Sequence, residues 1–567
     1  MPSRIHSETG ELTVSSNGNA YQYDPKIAAL PDGGYVVVWF DLHLDGHYFQ
    51  RFDSTGAPTG QAVRIAGVDH YNSNLDVAGL EGGGFAIAWI DRPQGSSTAE
   101  LRIQLYDPSG TPGLLITDAT DLVSSADHVP TIAALANGGF VVIHEGNSNG
   151  GLAGRIYTAT GLAVGAEFEI SGLSPSMPDA VGLPSGGFAL IWADWDVTNG
   201  RDIKLQLLGD DGLPLPGTAV VTIATGTADQ TLPQVTVLAT GAILVSWEEE
   251  GADGLDIRAS ILDSGTGQPI EGFGGFLVNT AVAGDQYFSS VAALPDGGFV
   301  IAWTDSSQDG LDRWSTAIKA QRYAPDGSPI GGEFLLNSIA GGTQIRPQLA
   351  ALDDGSLAGV WMSEAMPWPG PQLGLRTKVF DFVSVTEQTG GAGADTLTGG
   401  TGPDDLSGLG GDDSLDGGAS QDVLLGGDGD DELLGGAGDD LLDGGADEDV
   451  LDGGVGNDVV LGGDGEDSLV SGGGGYDLLD GGAGNDSLTA VGSGTGIVLI
   501  GGDGDDVVDV AWGYGPTYYE TGVFIDAGAG ADRVVIRSLG SVGQITLGAG
   551  SDTIVFGHPI GYHQIGT

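Results

Sequence analysis

The chain of 567 residues is long enough for two or more domains and a sizeable hydrophobic core. Its 78 acidic residues against 18 basic ones give a formal charge of −60. This charge would repel nucleic acids and anionic membranes, and it suits a protein that holds cations. The hydrophobic fraction of 40% is too high for a simple disordered chain.

The chain contains no cysteine, which excludes disulfides and thiolate metal sites. Its first residues, MPSRIHSETGELTV, lack the hydrophobic core of a secretory signal. No apolar run approaches the roughly 20 residues that a membrane-spanning helix needs. We therefore expect no membrane span, and either a cytoplasmic protein or one exported without an N-terminal signal.

A unit of about 50 residues recurs from the N-terminus to about residue 385, marked by a glycine turn before a strand, as in PDGGYVVVW and PDGGFVIAW. The equivalent glycines, spaced 48 to 58 residues apart, are Gly33, Gly83, Gly138, Gly186, Gly241, Gly297 and Gly355. Each unit holds about four stretches with the alternating pattern of strands. This pattern predicts an all-β protein with a seven-bladed β-propeller over residues 1–385. A β-sandwich array is the competing fold.

The last unit ends after its third strand, RTKVFDFVSV. The segment ETGELTVSS, residues 8–16, resembles the outer strand EFLLNS of the sixth unit. We therefore expect the N-terminus to complete the last blade, which would hide two sheet edges.

A carboxylate follows the strand tryptophan in most units, as in Trp39 with Asp41 and Trp303 with Asp305. The other examples are Trp89 with Asp91, Trp192 with Asp194, Trp247 with Glu249, His144 with Glu145, and Trp361 with Glu364. A functional interpretation is a ring that binds cations or sugars. The structural interpretation, which we favour, is a packed tryptophan followed by a turn-forming acid.

From residue 390 the period becomes nine residues, and fourteen units fit the pattern G-G-x-G-x-D-x-U-x, with U a large aliphatic residue. This pattern is known from calcium-binding β-helix repeats. Glycines permit tight turns, and the sixth-position aspartate supplies the oxygen that calcium prefers. The aliphatic residues should turn inward; in seven consecutive units they are Leu397, Leu406, Leu415, Leu424, Leu433, Leu442 and Leu451.

Residues 390–556 resemble the repeats-in-toxin (RTX) family of secreted bacterial proteins. The resemblance implies a parallel β-roll over residues 386–567, with two nonapeptides per coil, calcium ions between stacked turns, and a C-terminal cap or secretion region. It also implies export through the type I secretion machinery. The implied metal ligands are Asp395, Asp404, Asp413, Asp422, Asp431, Asp440, Asp449, Asp458, Asp467, Asp477, Asp486, Asp506, Asp532 and Asp552.

Some units depart from the pattern. Ser420 and Asp447 replace the fourth-position glycine, and Leu409 replaces the second, so strained turns or weak calcium binding are expected there. Ser471 is an insertion that predicts a break in the roll. The stretch AWGYGPTYY, residues 511–519, is interpreted as a cap, with a ligand surface as the alternative.

Signatures of enzymes are weak. GNSNG, residues 146–150, places Ser148 in a G-x-S-x-G pattern near His144, but no helix is predicted after it, as a nucleophile elbow requires. The zinc motif HExxH is absent. We therefore expect an extracellular calcium-binding protein whose propeller binds a glycan or cell-surface ligand in adhesion, and we favour a role without catalytic activity. The alternatives are a secreted polysaccharide hydrolase and a structural protein of a surface layer or matrix.

Overall fold

The structure is a computed structural model in which every regular element of the described residues is a β-strand. The described residues are 3–6, 11–14, 21–44, 46–65, 75–91, 99–122, 130–145, 151–170, 174–196, 200–226, 228–251, 253–280, 283–307, 316–337, 343–365, 372–492, 496–512, 522–538 and 542–556.

The N-terminal region consists of seven antiparallel sheets, six built from strands that follow one another along the chain and a seventh that also includes the first two strands of the chain. Its strands are β1 (Ser3–His6), β2 (Leu12–Thr13), β3 (Gln22–Ala29), β4 (Tyr35–Asp41), β5 (Gly46–Phe52), β6 (Val63–Arg64), β7 (Leu75–Gly79), β8 (Phe85–Asp91), β9 (Ala99–Tyr106), β10 (Pro112–Leu122), β11 (Thr131–Ala134), β12 (Phe140–Glu145), β13 (Leu152–Tyr157), β14 (Ala163–Ile170), β15 (Ser176–Gly182), β16 (Phe188–Asp196), β17 (Gly200–Leu208), β18 (Val221–Ala224), β19 (Gln230–Val237), β20 (Ile243–Glu250), β21 (Leu255–Leu262), β22 (Phe276–Leu277), β23 (Gln286–Ala293), β24 (Phe299–Asp305), β25 (Ala317–Tyr323), β26 (Pro329–Leu335), β27 (Gln344–Ala351), β28 (Leu357–Ala365) and β29 (Gln372–Ser384).

The seven sheets form a closed propeller. Each innermost strand contacts the innermost strand of the next blade, and β27 of the last blade contacts β3 of the first. Blades 1 to 6 are β3–β6, β7–β10, β11–β14, β15–β18, β19–β22 and β23–β26. The seven-bladed propeller predicted from the repeats is confirmed, and the sandwich array is wrong.

The N-terminus completes the seventh blade, as the sequence predicts. Leu12 and Thr13 of β2 pair with Thr377 and Arg376 of β29. The strand β1 also pairs with β29, from Ser3 opposite Ser384 onwards. Joining the two ends of the ring in one sheet removes the free edge that an open propeller would leave.

The two glycines of the turn before the second strand, such as Gly33 and Gly34, are needed for different physical reasons. Gly33 has φ +87°, and the equivalent first glycine has a positive φ in every blade. Its neighbour Gly34 lies against the carbonyl oxygen of Phe52, so a Cβ has no room there. The turn therefore brings the chain directly into β4, whose residues are all buried.

The C-terminal region is a roll of two parallel sheets, one of 11 strands and one of 9. The first sheet contains β30 (Thr386–Thr389), β32 (Asp404–Gly410), β34 (Val423–Asp428), β36 (Leu441–Ala446), β38 (Val459–Asp464), β40 (Tyr476–Ala483), β42 (Gly496–Asp503), β44 (Gly522–Asp526), β45 (Ala529–Gly530), β47 (Val542–Thr546) and β48 (Ala549–Gly550). The second contains β31 (Thr396–Gly400), β33 (Ser414–Ala419), β35 (Glu432–Ala437), β37 (Val450–Val455), β39 (Ser468–Val470), β41 (Ser487–Gly492), β43 (Val507–Trp512), β46 (Arg533–Ser538) and β49 (Thr553–Phe556).

Consecutive strands of one sheet lie one full coil apart, with Leu406 opposite Leu424 and Leu424 opposite Leu442. Two nonapeptides therefore make one coil, as the family resemblance implies. The eighth-position aliphatic residues form a continuous buried column inside the roll. Burial of this column is the main apolar contribution to its stability.

The insertion of Ser471 does not break the roll, so that prediction is wrong. Ser471 is buried, and its amide donates a hydrogen bond to the carbonyl of Thr489 at 3.1 Å. The pairing continues beyond it, with Val459 opposite Leu478. The extra residue is absorbed at a turn because the inward-facing strands on both sides keep their phase.

Candidate metal centre

The sixth-position aspartates stack into ladders along the two edges of the roll. Each aspartate amide donates a hydrogen bond to the Oδ1 of the aspartate one coil further on, as Asp413 does to Asp431 at 2.7 Å and Asp440 to Asp458 at 3.0 Å. The long ladder contains Asp395, Asp413, Asp431, Asp449, Asp467, Asp486, Asp506, Asp532 and Asp552. The short ladder contains Asp404, Asp422, Asp440, Asp458 and Asp477.

The two ladders have different lengths, which the sequence pattern did not predict. In the coil after Asp477, the paired residue is Ile497, and in the next coil it is Val523. Both side chains are fully buried in the apolar core. One edge of the roll therefore carries carboxylates along its whole length, whereas the other changes from carboxylates to aliphatic packing.

The second oxygen of these carboxylates is buried without a hydrogen-bond donor in the described part of the chain. The atoms concerned are Oδ2 of Asp413, Asp431, Asp440, Asp449, Asp458, Asp467, Asp477, Asp486, Asp506 and Asp532. A buried carboxylate oxygen without a partner is costly. A repeated set of such atoms indicates a ligand that compensates them.

Except at Asp477 and Asp532, each of these oxygens faces a small space that the first glycine of its repeat leaves open. A Cβ on Gly435 would lie 2.7 Å from Oδ2 of Asp440 and 2.5 Å from the carbonyl oxygen of Gly453. A Cβ on Gly481 would lie 2.5 Å from Oδ2 of Asp486 and 2.6 Å from the carbonyl oxygen of Gly501. Carboxylate and carbonyl oxygens therefore converge on the same points, and this donor set fits a hard cation such as Ca²⁺.

At each of the two points described, one carboxylate oxygen and one carbonyl oxygen converge. No group of three or more histidine, cysteine, aspartate or glutamate side chains that could hold a metal occurs within the residues that the structure describes. Oxygen donors such as the carboxylate of Asp440 and the carbonyl of Gly453 suit calcium better than a transition metal.

The sequence model of the RTX calcium-binding nonapeptide repeat matches this region in four copies, over residues 389–424, 425–460, 434–469 and 461–490. Residues 389–490 are RTX calcium-binding nonapeptide repeats. RTX repeats are known to bind Ca²⁺ and are typical of secreted proteins. No helix in the described part of the chain is long and apolar enough to cross a membrane.

Solved structures similar to the chain are distant. A protein of unknown function from Dyadobacter fermentans is 12% identical, with 67% of this chain and 99% of that chain covered and a TM-score of 0.39. The α-L-arabinofuranosidase Arb93A from Fusarium graminearum is 11% identical, with 65% and 97% covered and a TM-score of 0.39. The α-L-arabinanase from Penicillium chrysogenum is 14% identical, with 67% and 99% covered and a TM-score of 0.38. No curated protein sequence matches the chain.

Burial raises the pKa of several RTX ladder aspartates. The pKa of Asp440 rises to about 8 and that of Asp477 to about 9, mainly through desolvation, with neighbouring aspartates adding to the effect. The pKa values of Asp449 and Asp458 rise to about 7 for the same first reason. In the folded roll these carboxylates need a positive partner, either a proton or a metal cation.

The departures from the RTX pattern keep the conformation of the glycines they replace. Leu409, Ser420 and Asp447 have φ of +76°, +84° and +78°. These values lie in the region that L-amino acids rarely adopt. The expected strain is therefore present at all three turns. The effect of these residues on calcium binding stays a prediction.

The carboxylates that follow the propeller tryptophans are engaged inside their own blades. In four blades a cation from the third strand, directly opposite the tryptophan, pairs with the carboxylate two residues after it. The pairs are Arg102–Asp91 at 2.8 Å, Lys204–Asp194 at 3.3 Å, Arg258–Glu249 at 2.6 Å and Lys319–Asp305 at 2.7 Å. Asp41 instead accepts a hydrogen bond from the amide of Leu44.

This arrangement supports the structural interpretation, because the acids are neutralised near the packed tryptophans. Glu145 accepts a hydrogen bond from the amide of Met177 at 3.3 Å. Ser148, the stretch 513–519, the side chain of Glu364 and the C-terminal residues 557–567 lie outside the described residues. The hypotheses placed on them therefore stay predictions.

Proposed function

We propose that this protein is secreted and that its roll folds outside the cell by binding calcium ions between successive coils. The fourteen sixth-position aspartates are the proposed carboxylate ligands. The observation that carries the proposal is the repeated space where an unpartnered Oδ2 and a glycine carbonyl oxygen converge, one coil after another. Calcium bound there would satisfy both groups.

Calcium binding and folding are expected to be coupled. In the unfolded chain the repeats are separate, so the oxygens of adjacent coils do not converge. Binding free energy then becomes folding free energy. Sites in extracellular modules work at about 10⁻⁴–10⁻³ M calcium, so the roll would be unfolded before export and folded after it. Export by the type I secretion machinery is part of this proposal and rests on the family resemblance.

The propeller is proposed to act as a binding or adhesion module for a glycan or another cell-surface ligand. We assign residues 1–385 to it and residues 386–567 to the roll with its C-terminal cap and secretion region. The change from antiparallel to parallel pairing between β29 and β30 supports this boundary. The internal neutralisation of Asp91, Asp194, Glu249 and Asp305 supports a structural role for these acids, so we expect the ligand to bind elsewhere on the propeller.

A calcium titration of the full chain tests the calcium proposal, with circular dichroism and hydrogen exchange as readouts and magnesium as the control ion. The variant Asp440→Asn removes one ladder charge, whereas Asp443→Asn changes an aspartate of the same repeat outside both ladders. We expect only Asp440→Asn to raise the calcium concentration at the midpoint of the transition. A roll that is equally protected in chelator and in calcium would contradict the proposal.

A further inference from the structure

Five innermost strands of the propeller contain the same unusual turn. The residues concerned have positive φ although they are not glycine: Asp24 (+50°), Met177 (+53°), Leu232 (+48°), Phe288 (+55°) and Arg346 (+59°). Each lies at a register shift between the first and second strands of its blade. Each is the third residue from the start of its strand, or the second in blade 4, so all five lie at the same end of the central channel.

The bulge conformation is unfavourable in free energy, and hydrogen bonds from neighbouring strands stabilise it. A left-handed conformation costs an L-residue about 1–2 kcal/mol, and proline follows four of the five residues, which disfavours it further. The amide of Phe288 donates to Oε1 of Glu248 at 2.6 Å, and the amide of Arg346 donates to Oγ1 of Thr304 at 3.0 Å. Strain that the surrounding structure maintains in this way is characteristic of ligand sites, where bulges re-aim side chains.

Three adjacent blades contribute side chains that meet at this end of the channel. The guanidinium carbon of Arg346 lies 4.2 Å from the ring centroid of Phe288. Its Nη1 lies 2.5 Å from Oδ1 of Asp24. The ion pair thus spans the closure of the ring, from the seventh blade to the first. Neither side chain is buried: those of Arg346 and Asp24 are 42% and 26% exposed.

The other three bulge residues are apolar or aromatic. Met177, Leu232 and Phe288 are all half-buried, so each leaves part of its side chain accessible. The ring of Tyr287 stands edge-on to that of Phe288, with the centroids 5.0 Å apart. We call this end of the channel the channel mouth. One side of it offers the aliphatic and aromatic surface of Met177, Leu232 and Phe288, and the other offers the ion pair of Asp24 and Arg346.

We infer that this channel mouth, centred on Asp24, Phe288 and Arg346, binds a neutral sugar unit of a polysaccharide. The inference rests on the proposed role of the propeller as a binding module. A sugar presents C–H groups to apolar and aromatic surface and hydroxyl groups to charged donors and acceptors. The carboxylate of Asp24 accepts from hydroxyls and the guanidinium of Arg346 donates to them. The chain charge of −60 disfavours acidic sugars.

The test measures binding of short neutral oligosaccharides to the full chain by calorimetry at saturating calcium. The probes are cello-, xylo-, arabino-, manno- and galacto-oligosaccharides, with an oligogalacturonate as the acidic comparator. We expect the wild-type chain to bind at least one neutral probe. The variants Arg346→Gln and Asp24→Asn should weaken that binding at least about tenfold, since each removes a charged hydrogen-bonding group.

Arg322→Gln is the matched control. Arg322 also lies over an aromatic ring, that of Phe382 at 4.5 Å, and also pairs with an aspartate, Asp296 at 2.7 Å. Asp296 lies in the turn after β23, at the opposite end of the strand from Phe288. The control should bind as the wild type does, and unchanged thermal midpoints should show that all variants fold.

Three results would overturn the inference: no binding of a neutral probe, binding that Arg346→Gln and Asp24→Asn leave intact, or binding of the acidic probe alone. The calcium titration on the same samples separates these failures from failure of the calcium proposal. Sugar binding that is insensitive to Arg346 would leave the propeller a binding module with its site elsewhere.

Discussion

The first glycine of each nonapeptide determines whether oxygens can converge at the edge of the roll. Gly435 does not have a positive φ, so its backbone conformation is open to alanine. The constraint is space, because its missing Cβ leaves room between Asp440 and Gly453. At the second and fourth positions the reason is different, since Gly436 and Gly438 have φ of +106° and +141°. The same residue type thus serves two physical roles in one repeat.

Gly435→Ala should therefore remove one calcium site. The φ of Gly435 is open to alanine, but the added Cβ would push apart the carbonyl oxygen of Gly453 and Oδ2 of Asp440, which lie 2.5 and 2.7 Å from its position. We expect the bound calcium, measured by equilibrium dialysis and elemental analysis, to fall by about one ion per chain. The control is Gly402→Ala, since a Cβ there meets no atom within 4 Å and Gly402 does not have a positive φ. Equal calcium content in the two variants would show that the space beside Asp440 is not a site.

Leu409 offers a test of strain at a second-position glycine. Its side chain is 54% exposed, so replacing it loses little packing. Leu409→Gly should stabilise the calcium-bound roll by up to about 1 kcal/mol, because relief of the left-handed conformation exceeds the added chain entropy. Chemical denaturation in calcium measures the change. The reverse variant Gly427→Leu, paired with Leu409 one coil on, should destabilise the roll, and a gain in stability there would contradict this account.

At the scale of the strand and the repeat, the features that follow the repeat period can be predicted from the sequence, and those that depart from it cannot. The spacing of 18 residues between Asp413 and Asp431 follows from two repeats per coil, so this pairing could be predicted from the repeat period together with the family resemblance. The end of the short ladder is not, because GTGIVLI gives no sign that Ile497 replaces an aspartate until the register is known. The propeller bulges were missed because Asp24, Met177, Leu232, Phe288 and Arg346 share a conformation but no residue type.

Glu248, which anchors the bulge at Phe288, should make propeller stability depend on pH. Burial raises its pKa from 4.5 to about 7, so the folded state favours the protonated form. Stability is then highest below the unfolded pKa and decreases as the pH rises towards 7. Glu248→Gln should remove this dependence and stabilise the propeller at pH 8 by up to about 3 kcal/mol.

Thermal unfolding followed by hydrogen exchange in β20 and β23 checks this prediction between pH 5 and pH 8. Glu249→Gln is a neighbouring control, whose carboxylate pairs with Arg258 at 2.6 Å rather than anchoring a bulge. A wild-type propeller that is as stable at pH 8 as at pH 5 would show that Glu248 is ionised at little cost.

At the scale of the whole molecule, the propeller and the roll are stabilised in different ways. The propeller closes on itself through the hydrogen-bonded pairing of β1 and β2 with β29. The roll stacks parallel strands and gathers buried carboxylates at its turns. Its stability should therefore depend on an ion that the propeller does not need.

Removal of calcium by a chelator should accordingly unfold the roll and leave the propeller folded. Without the cation, buried carboxylate oxygens that lack a hydrogen-bond partner, such as Oδ2 of Asp440 and of Asp477, oppose the coiled state, and the repeats gain the entropy of a glycine-rich chain. Hydrogen exchange should show lost protection in β35 to β38 and unchanged protection in β20 and β24. Calcium should restore the lost protection, whereas magnesium, which demands a tighter octahedral shell, should not. Simultaneous loss of protection in both regions would instead mean that propeller and roll fold as one cooperative unit.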